Sequence, residues 1–89
     1  MIKTKDGFLV REFGGKHIVV AIGEMADEFH SLITLNETGY FIFKKLENGI
    51  EYNELLNSVT ETYAVDETTA KNDLDEFLDK VKKAGLLYE

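Results

Sequence analysis

The sequence predicts an α+β domain of the winged helix-turn-helix type, a three-stranded antiparallel sheet followed by three helices (β-β-β-α-α-α). Three observations predict it. Three short runs rich in strand formers lie before Asn36, and the period turns helical from there onward. The last two helical stretches are joined by a short turn. Three strands cannot close a barrel, so this sheet must keep open edges.

The first strand is Phe8-Leu9-Val10-Arg11-Glu12-Phe13 and the second runs from Lys16 to Ile22. Gly14-Gly15 between them is a two-residue hairpin signal, because primed turns need positive φ. In the second strand Ile18, Val20 and Ile22 share one face, with His17, Val19 and Ala21 on the other. Gly23 to Glu28 reads as an acidic loop, and Phe29 to Leu35 alternates again as a third strand. Asn36 is a good N-cap, with Glu37 at the positive end of the helix dipole. Leu35, Gly39, Ile42, Phe43 and Leu46 share a stripe that ends at Asn48-Gly49. A second helix starts between Glu51 and Asn53 and buries Leu55, Leu56, Val59 and Tyr63. Asp66 caps the third, where Ala70, Leu74, Phe77 and Val81 lie within roughly 60° on the helical wheel. Gly85 ends it, and Leu86-Leu87-Tyr88 folds back as an apolar tail.

Eighty-nine residues are expected to form a single domain, residues 1–89, which buries about 60–65% of its unfolded surface and holds no deep cavity. Seventeen acids against ten bases leave a net charge of −7. Such acidity argues against a life on phosphate backbones. Cysteine is absent, so disulfides, thiolate metal sites and cysteine nucleophiles are excluded. No run of 18 apolar residues exists and the first residues lack a signal peptide's apolar core, so a cytoplasmic protein without membrane contact is expected.

Catalysis finds little support. His17 and His30 lie in separate strands without metal-ligand spacing, and Ser31 and Ser58 have no glycine-rich elbow. The carboxylates of the third helix alternate with Lys71, Lys80, Lys82 and Lys83, as on an ordinary solvated face. Gly14-Gly15 joins two strands, so it is no phosphate loop. DNA binding fails on charge. Asp66 to Ala84 carries six acids and four bases, and Glu51 to Tyr63 carries three acids and no base. No enzyme activity, no cofactor, no metal and no nucleic-acid partner are expected.

Leu35-Asn36-Glu37-Thr38-Gly39-Tyr40, preceded by a strand and followed by an apolar helix, resembles the Leu-Asn-Glu-Thr-Gly/Ala signature of the PqqD family. That family is named for protein D of pyrroloquinoline quinone biosynthesis. Leu46-Glu47-Asn48-Gly49 resembles its helix-ending turn, and Glu54-Leu55-Leu56 its second helix. Tyr63-Ala64-Val65-Asp66, Asp73-Leu74 with Phe77-Leu78, and Ala84-Gly85-Leu86-Leu87 follow in the family's order. Glu51 departs from the pattern, since the family usually caps the second helix there with Ser or Thr; Asn53 is the alternative cap.

The resemblance implies a recognition element for ribosomally made, modified peptides. Such an element holds a precursor's leader segment and presents it to a modifying enzyme, often a radical S-adenosylmethionine protein. The leader would add as a strand beside the third strand and pack against the third helix. An open edge suits that role, because main-chain pairing supplies affinity and alternate side chains supply specificity. The candidate edge contains Ser31, Leu32, Ile33 and Thr34, without proline or lysine to block pairing. On the third helix Leu74 belongs to the apolar stripe and Leu78 widens it, flanked by Lys71, Asp75 and Lys82. Leu78 fits either groove or core. A charge or proline at Ile33 or Thr34 is expected to weaken binding with the fold intact. The alternatives are a winged-helix transcriptional regulator and a structural subunit of a larger enzyme. Monomer and homodimer are both compatible with the exposed edge.

Overall fold

The computed structural model describes residues 1–24, 26 and 33–88. Strands β1, β2 and β3 are Phe8–Phe13, Lys16–Ala21 and Ile33–Leu35. Helices α1, α2 and α3 are Glu37–Glu47, Tyr52–Tyr63 and Glu67–Lys83. The expected order β-β-β-α-α-α is the observed one, and the strands are antiparallel in the spatial order β1-β2-β3. Gly14 and Gly15 turn the hairpin at φ +56° and +81°, pairing Phe13 with Lys16 as a two-residue primed turn requires. Half of the expected acidic loop and residues 29–32 of the expected third strand, Ser31 and Leu32 included, lie outside the described residues.

The core face of β2 is that of Val19, with Ala21 packed beside it. Ile18 and Val20 point the other way and are only half-buried, although their face is the more apolar by composition. Beneath the sheet the three helices meet in a core whose fully buried members include Phe43, Leu46, Leu55, Leu74, Val81 and Leu86. Each such apolar side chain contributes about 1.5–3 kcal/mol by leaving water.

The Asn36 side chain caps α1 by accepting the Gly39 N–H at 2.7 Å. Asp66 caps α3, accepting the Thr69 N–H at 3.1 Å and the Thr69 hydroxyl at 2.8 Å. The N-cap of α2 is Glu51, which makes no side-chain cap bond, so Asn53 lies inside the first turn and does not cap. At its other end α2 stops on Ala64, held in the left-handed region at φ 51°.

Residues 2–5 stitch the helical layer together, and the sequence offers no pattern that announces it. Ile2 exchanges backbone hydrogen bonds with Ile50, and Thr4 pairs with Leu87. Lys5 N–H donates to the Leu86 carbonyl and Tyr88 N–H to that of Lys3. The expected apolar tail thus folds back as a strand-like partner, with Leu86 and Leu87 buried.

Candidate functional site

A groove of about 780 Å³ opens between the end of β3, the first turn of α1 and one flank of α3. Local sequence builds each wall. The Asn36 cap fixes where α1 begins, immediately after β3. Gly39 then lets that first turn lie against α3, since a Cβ there would stand 3.2 Å from Phe77 Cε1 and 3.2 Å from Asn36 Oδ1. Buried Leu35 and Ile42, with half-buried Phe77, supply the apolar lining. Charges ring it: Glu37, Asp73 and Glu76 against Lys16 and Lys80.

The side of β3 away from β2 is unpaired among the described residues, so a row of backbone groups borders this groove. His17 sits at its end, where its ring stacks on Tyr40 with centroids 4.0 Å apart and planes 9° from parallel. Beyond that stack lies a shallower depression of about 390 Å³. There Phe41 meets Tyr63 edge-on at 5.6 Å, and Lys45 Nζ stands 5.4 Å from the Phe41 ring centre. His17 and Glu37 line both depressions, making them one continuous surface.

The structure distributes the sequence-predicted residues unevenly. Thr34 is exposed and lines the groove. Ile33 is 4% exposed and packed in the core, so a charge or proline there would break the fold and cannot probe the edge. That corrects the expectation that either position is a clean probe. Leu74 is fully buried and supports the groove only from beneath. Lys71, Asp75, Leu78 and Lys82 do not line the groove. At 100° per residue they fall on the opposite side of the core stripe from Asp73, Glu76, Phe77 and Lys80. That opposite flank faces α2, where Asp75 accepts the Tyr52 phenol hydrogen. Leu78 is half-buried and packs on the core. Ser31 and Leu32 lie outside the described residues.

Sequence reasoning missed Asp73, Glu76 and Lys80, and the hairpin residues Gly15, Lys16 and His17. The helical wheel groups the first three with Phe77, but a wheel has two flanks and only tertiary packing chooses between them. Among the described residues, no group of three or more His, Cys, Asp or Glu is placed to hold a metal ion, and no helix is long and apolar enough to cross a membrane.

Residues 17–87 match the family model of coenzyme PQQ synthesis protein D, PqqD. Two solved structures share the fold. TbiB1 in complex with the TbiA(beta) leader peptide is 22% identical, with a TM-score of 0.75 over 97% of this chain and 94% of that one. Lasso peptide synthetase B1 complexed with the leader peptide is 18% identical, with a TM-score of 0.75 over 99% and 98%. No curated protein matches the chain.

Proposed function

The chain belongs to the PqqD family, and from that premise we propose that it is a non-catalytic recognition protein for a ribosomally made precursor peptide. It binds the peptide's leader segment as an added strand on β3 and presents the remainder to a modifying enzyme. The observation that carries this reading is the edge of β3, unpaired among the described residues, running beside a groove lined by Leu35, Ile42 and Phe77. Main-chain pairing along the edge demands little of the peptide's sequence, while every second side chain turns into the groove. The two fold neighbours, each in complex with a leader peptide, support the same reading.

The energetics agree. A disordered leader gives up about 2–5 kcal/mol in ordering, and micromolar affinity needs about 8 kcal/mol net. A short strand pairing plus one or two apolar side chains seated on Phe77 and Ile42 is of that order. The three carboxylates on the rim favour a peptide with a basic residue beside its apolar anchor. On the family resemblance, the modifying enzyme is a radical S-adenosylmethionine protein, in pathways that include quinone-cofactor biosynthesis. The protein acts in the cytoplasm, as one domain.

Calorimetric titration with short peptides encoded beside its gene tests the proposal. Saturable binding of a leader half at micromolar affinity is expected, falling at least about tenfold, or about 1.4 kcal/mol, in a folded Thr34→Lys variant. No binding by any such peptide would sink it.

A further inference from the structure

The outer face of the sheet is the second surface that asks for a partner. Its positions form three cross-strand rows: Leu9 with Val20, Arg11 with Ile18, and Phe13 with Lys16. Leu9 is 36% exposed, Phe13 59% and the adjoining Ile22 43%. Neither Ile18 nor Val20 packs on the core. Five apolar side chains therefore sit together on the side of the sheet opposite the helices.

The charge on this face is as informative as its apolarity. Among the described residues, Arg11 and Lys16 are the charged ones at its strand positions, and none of those positions holds a carboxylate, in a protein of net charge −7. Neither cation is paired with a carboxylate among the described residues. A second copy set face to face would bring these cations against their like. A protein surface with an apolar centre and carboxylates around it would complement both features.

The face also continues toward the candidate peptide edge. Ile18 lies opposite Thr34, so the rows run across β2 to β3. A strand added beside β3 would project every second side chain onto this same side of the sheet. We propose that the outer sheet face is the docking surface for the peptide-modifying enzyme, which touches the face and the added strand together and so prefers the loaded protein. The choice of occupant rests on the leader-peptide reading above. Preference for the loaded form is a coupling between two sites, and by linkage the enzyme must tighten peptide binding by the same factor.

Two variants leave the groove lining untouched. Arg11→Glu reverses the central charge. The double variant Leu9→Thr with Val20→Thr removes an apolar row while keeping a β-branched residue at each position. Each is titrated separately with the precursor peptide and with the modifying enzyme encoded beside this chain's gene, after circular dichroism has verified the fold. Peptide affinity is expected to stay within about twofold of the parent and enzyme affinity to fall at least about tenfold, or about 1.4 kcal/mol. Unchanged enzyme affinity in both folded variants, or no enzyme binding by the parent chain, overturns the inference. Sedimentation with phosphatidylserine-containing vesicles that Arg11→Glu abolishes overturns it in favour of a lipid surface. A parent dimer that the double variant dissociates overturns it in favour of a second copy. Loss of peptide binding by the parent with enzyme binding intact would instead sink the leader-peptide reading and leave the docking face standing.

Discussion

Gly39 shows how little space one residue can leave. A methyl group there meets Phe77 and Asn36 at 3.2 Å, so both neighbours must yield by a few tenths of an ångström. Gly39→Ala gains about 1 kcal/mol of helix propensity against that crowding and is expected to be near neutral. Gly39→Val has no such escape; it should cost about 1–3 kcal/mol in urea unfolding and displace Phe77 from the groove. Ala64 presents the reverse case. Its left-handed φ of 51° costs a residue with a Cβ about 1–2 kcal/mol, and glycine loses about 0.5–1 kcal/mol through its freer unfolded chain. Ala64→Gly should therefore raise stability by up to about 1 kcal/mol, read by the same unfolding curves. Tyr52 reports through pH. Burial first, and then its hydrogen bond to Asp75, push its phenol up to about 12 from the ordinary 10.0. A group raised on folding stabilises fully below its unfolded pKa, so this contribution is intact at neutral pH and fades as pH rises from 10 through about 12. Thermal melts at pH 9 and pH 11.5 should show a larger alkaline loss in the parent than in Tyr52→Phe.

At the scale of elements, two of the three helices begin on a side-chain cap and the third does not. Asn36→Ala should cost about 1 kcal/mol and also loosen the wall of the groove, because the cap sets where α1 starts. The Thr69 hydroxyl and N–H beside Asp66 hold its carboxyl below the ordinary 3.8, so this cap stabilises above that value and is lost as pH falls through the lowered one. An acid titration of Asp66→Asn should lack that step. Strands, helices and both caps were legible in the sequence because each depends on residues within a few positions: the Gly14-Gly15 turn, Asn36 with Gly39, Asp66 with Thr69. What could not be read there depends on what packs against what. The pattern of β2 offers Ile18, Val20 and Ile22 as the more apolar set, yet the helices cover Val19 and Ala21, because β3 delivers α1 to that side. On α3 the residues weighed for the groove, Lys71, Asp75, Leu78 and Lys82, lie on the flank that Tyr52 of α2 approaches, and Phe77 stands on the other. Of the candidate edge, Thr34 is the described position that both lines the groove and is exposed.

For the whole molecule, the N-terminal segment matters more than its composition suggests. Removing residues 1–6 would strip the Ile50 and Leu86 carbonyls of the donors Ile2 and Lys5, leave the Ile50 and Tyr88 N–H groups without their acceptors, and uncover Leu86 and Leu87. With about 4–8 °C of melting temperature per kcal/mol in a domain of this size, a fall of roughly 10 °C or more is expected by calorimetry. In a protein of net charge −7, Arg11 and Lys16 carry the opposite sign on the outer sheet face. Encounter with an acidic partner there should slow as salt is added, measurable by stopped flow. The pairing of Thr4 with Leu87 has one more consequence, and it concerns synthesis. More than eighty residues separate the two, so their contact closes a very long loop and forms after the local turns and helices. On a ribosome residues 3–5 are made more than eighty residues before their partners and must wait for them. Until residues 86–88 have emerged, the helical layer of a nascent chain lacks the strand that pairs with residues 3–5.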